Sequence, residues 1–101
     1  MTPEGRVKKA IRKVLDRYVD IYSYMPVPSG YGERTLDYLL CVAGHFVAIE
    51  AKAPGKHPTK LQELCMADIS AAGGTTFVID SVDGTYELEK FLNECACEHQ
   101  A

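Results

Sequence analysis

Two strand-like runs stand two residues apart in the sequence: "TLDYLLCV", residues 35 to 42, and "HFVAIEAK", residues 45 to 52. No other feature restricts the fold as much. Runs of this kind joined by a glycine-containing pair make an antiparallel hairpin, and opposed residues of a hairpin share one face of the sheet. With Ala43-Gly44 as the turn, Val42 opposes His45 and Asp37 opposes Glu50. With Gly44-His45 as the turn, Asp37 opposes Lys52. Alternation along the strand puts Glu50 and Lys52 on the same side, so either turn gathers Asp37, Glu50 and Lys52 on one face. An odd loop or a bulge would undo this. A buried charge is costly unless it is paired or holds a metal. The strand therefore ends in a solvated cross-strand salt bridge or in a site.

The remaining pattern supplies the rest of a small α/β domain. Thr2 and Pro3 suit the cap and first position of a helix. Val7, Ala10, Ile11, Val14, Leu15 and Tyr18 then follow helical spacing as one apolar stripe. Glu4 falls on that inward stripe, whereas Arg6, Lys9, Lys13 and Arg17 form a basic line on another face. "VDIYSYMPV" reads as a first strand that Pro26 and Pro28 end or place at a sheet edge. "PSGYGER" is a turn-forming loop. After the hairpin and the loop "APGKHPTK" comes a helix, "TKLQELCMADISAA", with Leu61, Leu64, Cys65, Ile69 and Ala72 inward, stopped by Gly73-Gly74. "TTFVID" is a short buried strand, and "TYELEKFLNECAC" a last helix with Leu88, Phe91, Leu92 and Cys95 inward. The order is α-β-β-β-α-β-α.

A chain of 101 residues with 25 % charged and 47 % hydrophobic residues is expected to form a single domain, residues 1–101. No apolar run reaches the length of a membrane span, and the start of the chain lacks the apolar core of a secretory signal. Net charge is −3, but six basic residues against two acidic ones make residues 1 to 17 locally +4, which leaves −7 elsewhere. Such a basic segment on an acidic protein is either a phosphate contact or a solvated helix face. Cys41 and Cys65 read as small buried hydrophobes. Cys95, Cys97 and His99 form a C-x-C-x-H without a second half, a weak zinc pattern beside the plainer reading of a frayed helix end. The cysteines are read as reduced and the setting as cytoplasmic. The tyrosines between Tyr18 and Tyr38 are read as core filling, with base stacking or a subunit contact as alternatives.

Paired carboxylates beside a lysine have a recognised chemical use. Their oxygens hold a hard cation such as Mg²⁺. The cation polarises a phosphoryl oxygen and acidifies a bound water, and a nearby ammonium orients or deprotonates that water. In the order Glu4, Asp37, Glu50-Ala51-Lys52 and Gln62, the chain resembles the PD-(D/E)XK nuclease superfamily. More narrowly, "LDYLL…FVAIEAK…KLQ…AAGG" resembles the small stand-alone VRR-NUC domains of phages and bacteria. The resemblance runs from Pro3 to about Asp80.

That resemblance implies a restriction-endonuclease-like αβββαβ core, a mixed central sheet flanked by helices, here with an extra C-terminal helix. It makes Asp37, Glu50 and the Ala51 carbonyl metal ligands, with Glu4 reaching the metal directly or through water. Lys52 would be the catalytic lysine, and Gln62 would contact the attacking water or a phosphate. The implied cofactor is Mg²⁺, with Mn²⁺ substituting. Arg6, Lys9 and Lys13 on the helix, and Lys56 and Lys60 after the third strand, are the candidate DNA contacts. The family usually has proline before the strand aspartate, and this chain has Leu36.

So small a domain has little room for base readout, so DNA structure rather than sequence is the expected target. Stand-alone members are implied to be homodimers, which suits a four-way junction. The leading expectation is thus a Mg²⁺-dependent, structure-selective DNA endonuclease, a Holliday junction resolvase of a bacterial or phage-infected cell. A flap or nicking nuclease of the same chemistry, a non-catalytic nucleic-acid-binding module and a small zinc protein are the alternatives.

Overall fold

In the computed structural model the chain runs α1 (Pro3–Leu15), β1 (Ile21–Tyr24), β2 (Tyr38–Val42), β3 (His45–Ala51), α2 (Lys60–Ala71), β4 (Thr75–Ile79) and α3 (Thr85–Gln100). Residues 1–27 and 35–100 are described, with side chains as far as residue 96. The loop expected at 28–34 and the side chains of Cys97 and His99 lie outside the described residues. The order of elements is the one the sequence predicts.

The four strands form one mixed sheet in the order β1-β2-β3-β4. The first three are antiparallel, and β4 runs parallel to β3 after the α2 crossover. Of the two turns open to the hairpin, the chain takes Ala43-Gly44: Val42 pairs with His45 and Tyr38 with Ile49. Ala43 has φ +49° and Gly44 φ +84°. Positive φ at both central residues suits the twist of a two-residue hairpin, and alanine carries a steric penalty there.

Alternation divides the sheet into two unlike faces. On one, Tyr38, Leu40, Val47, Ile49 and Ile79 are buried beneath α1 and α3, against Val7, Ile11, Leu88 and Leu92. Arg17 Nη1 to Glu89 Oε1 at 2.7 Å and Tyr18 Oη donating to Asn93 Oδ1 at 2.6 Å lock the two helices together. The other face is covered only in part, by α2, whose Cys65, Met66 and Ile69 meet Leu36, Leu39 and Ala48.

Five sequence expectations need correction. The strand expected to be buried at 75–80 is so only at Ile79, since Val78, paired with Glu50 on the partly covered face, is 44 % exposed. Leu61 and Leu64 are 47 % and 41 % exposed, and Ala72 is also outside, so the α2 stripe facing the sheet is Gln62-Cys65-Met66-Ile69. Cys41 is exposed. Tyr22 and Tyr24 are 69 % and 54 % exposed, so of the tyrosines read as core filling they fill none. Arg17 is taken out of the basic line by Glu89. The α2 stop is as expected, with its Schellman bonds in place: Gly73 N–H to Ser70 O at 3.1 Å and Gly74 N–H to Ile69 O at 2.9 Å. Gly73 has φ +96°, and a Cβ on Gly74 would lie 2.6 Å from Ile69 Cγ2.

Candidate active site

Asp37 immediately precedes β2, and Glu50 is the last residue but one of β3. The register Tyr38 to Ile49 carries forward by one step, so the two acids face each other across the strand pair. Their carboxylates clasp the opposite backbones. Asp37 Oδ2 accepts the Ala51 N–H at 2.9 Å, and Glu50 Oε1 accepts the Asp37 N–H at 3.2 Å. Each acid therefore fixes the strand end that carries the other.

Leu36 is buried against Ala48 and Cys65, so apolar packing anchors the segment that delivers Asp37.

The second Glu50 oxygen is the centre of the site. Oε2 accepts Gln62 Nε2–H at 2.8 Å and lies 3.5 Å from Lys52 Nζ. Glu50 is 4 % exposed. Burial first, and then the Asp37 carboxylate, push its pKa from 4.5 up to about 7 against the opposing pull of Lys52. A buried acid thus stands beside a partly exposed one, with its charge incompletely compensated.

Gln62 is placed by its own helix start. Thr59 caps α2, its Oγ1 accepting the Gln62 N–H at 3.2 Å, while Gln62 Oε1 accepts the Thr59 N–H at 2.9 Å. This capping box spends the oxygen of the amide on the backbone, which leaves the nitrogen to point at Glu50.

The structure therefore brings together Asp37, Glu50, Ala51, Lys52 and Gln62. Glu4 arrives differently. Its Oε2 is 3.3 Å from Lys8 Nζ, and that ammonium is 4.0 Å from Asp37 Oδ1, so Lys8 stands between the two acids. Burial lowers the Lys8 pKa, but Asp37 and then Glu4 outweigh it, and the net shift is upward. Lys8 was missed by sequence reasoning, although its spacing of four from Glu4 was visible. Among the described residues no group of three or more His, Cys, Asp or Glu side chains is arranged to hold a metal ion. Arg6, Lys9, Lys13, Lys56 and Lys60 are exposed and outside this cluster of contacts.

The site sits at the carboxyl ends of the parallel strands β3 and β4, where Lys52 N–H also bonds Ile79 O at 2.9 Å. At the opposite end of β2, Tyr18, Ile21, Val42 and Leu92 line a separate cavity. No protein-family model and no curated protein matches the chain. No helix among the described residues is long and apolar enough to cross a membrane.

Proposed function

We propose that this protein is a metal-dependent, structure-selective DNA endonuclease with the restriction-endonuclease-like core of the VRR-NUC type. The observation that carries the reading is the convergence of Asp37, Glu50 and Lys52 on one sheet face, with Glu50 buried and its pKa about 7. The Asp37 carboxylate raises the energy of a charged Glu50, and the backbone bonds that hold the two acids opposite each other leave that repulsion in place. A divalent cation beside both relieves that repulsion. Mg²⁺ is commonly bound through one or two carboxylates with water completing the shell, so Asp37 and Glu50 with the Ala51 carbonyl are a fitting donor set without a third acid.

When bound, the cation supplies Lewis acidity toward the phosphoryl oxygen and acidifies a water. The chain's own groups do the rest. Lys52 meets the developing negative charge or takes the proton of the attacking water. Gln62 holds Glu50 in place through its amide nitrogen, and the Asp37 and Glu50 backbone bonds keep the donors from swinging apart. Arg6, Lys9, Lys13, Lys56 and Lys60 supply phosphate contacts. The exposed Tyr22, Tyr24, Cys41 and Phe46, which with Leu39 line a shallow apolar depression, offer a surface for a second copy, and two copies suit a Holliday junction.

The test is cleavage of labelled four-way junction, flap and plain duplex with Mg²⁺, with Mn²⁺ and with chelator. Paired, metal-dependent cuts confined to the junction are the expected result. Cuts in flap or duplex alone would keep the chemistry and remove the junction. Absence of cutting on every substrate by folded protein would overturn the reading in favour of a binding module.

A further inference from the structure

Lys8 touches the site, yet the chemistry proposed above gives it no task. Its Nζ lies 3.3 Å from Glu4 Oε2 and 4.0 Å from Asp37 Oδ1. Asp37 commits its other oxygen, Oδ2, to the Ala51 N–H, so Oδ1 is the oxygen left to meet a cation. The root of the lysine is fixed, because the buried Tyr38 hydroxyl donates to the Lys8 carbonyl at 3.4 Å. Its side chain is 37 % exposed, and the ammonium can leave by rotating about its four-carbon stem.

We propose that Lys8 is a resident counter-ion that competes with the divalent cation for Asp37 and Glu4. In the metal-free protein a single ammonium holds the two acids within reach of one another. A doubly charged ion at Asp37 repels that ammonium, which swings toward solvent and leaves Glu4 free to reach the metal or its waters. Lys8 is thus a positioning residue that keeps the acid pair assembled and sets the threshold for metal entry. This inference rests on the endonuclease reading.

The experiment is Mn²⁺ titration followed by electron paramagnetic resonance, with no DNA, on the full chain and on Lys8→Gln, Lys8→Met and Lys8→Arg. Circular dichroism shows that each is folded, and two neutral variants guard against one misfolding. Removing a unit charge this close should tighten Mn²⁺ binding by about tenfold in both neutral variants, while Lys8→Arg keeps the weaker binding of the parent. Unchanged or weaker binding by folded Lys8→Gln and Lys8→Met, with the parent binding Mn²⁺, would overturn the inference and leave the endonuclease reading standing. No Mn²⁺ binding by parent or variants would overturn both.

Discussion

The two faces of the one sheet differ in a way that local sequence hardly shows. Beneath α1 and α3 the strands present Tyr38, Leu40, Val47 and Ile49, all essentially without solvent. On the α2 side the same strands present Leu39, Cys41, Phe46, Ala48 and Glu50, and cover runs out before the sheet does. The first face is a closed apolar core. The second carries the buried acid, its partners and a strip of exposed aromatics. Because neighbouring residues of a strand belong to opposite faces, a charge at Glu50 sits between Ile49 and Ala51 without entering their core. Core packing and the buried polar cluster thus occupy alternate residues of β3.

The sharpest way to test this division is Lys52→Ala, which should lower the cleavage rate at least about 10³-fold, or about 4 kcal/mol of barrier, while DNA binding in Ca²⁺ persists. Undiminished turnover would place the chemistry elsewhere. Next in size is a pair of denaturant melts. Leu92→Ala on the closed face should lose about 3 kcal/mol, and Phe46→Ala, at a residue 45 % exposed on the open face, less than about 1 kcal/mol. Equal losses would break the comparison.

The open face should also make the metal-free protein pH-sensitive. Glu50 has a folded pKa of about 7 against an ordinary 4.5, so between those values the folded state holds more protons than the unfolded one. Stability should therefore fall as pH rises through that window, by about 3 kcal/mol at most, and level off above it. Thermal melts from pH 4.5 to 8 in chelator, with Glu50→Gln as control, read this directly; the variant's profile should lack that decline. The smallest effect belongs to the hairpin turn. Ala43→Asn relieves an alanine at φ +49° and should add about 0.5 kcal/mol, seen as a higher urea midpoint.

The element order, the hairpin and the meeting of Asp37, Glu50 and Lys52 were legible because each depends on short spacing: strand alternation, a two-residue turn, a cap, a glycine stop. The buried face of α2 was legible only at Cys65 and Ile69. Leu61 and Leu64 make as good an apolar stripe as Cys65 and Met66, and the side that faces the sheet is the one whose Gln62 bonds Glu50, a contact helical spacing does not show. The exposure of Tyr22, Tyr24 and Cys41 was hidden for a related reason, since a strand's pattern does not say how far a distant helix will reach across it. Lys8 shows the same limit. Its pairing with Glu4 is helical arithmetic, but its approach to Asp37 exists only once α1 docks beside β2.

The capping box of α2 makes a single side chain part of two machines. Gln62 holds the Thr59 N–H with one end of its amide and Glu50 with the other, so the start of a helix and a buried acid at a strand end share one tether. The loop before α2, which carries Lys56 and ends at the Thr59 cap, is joined to the sheet across the length of one glutamine.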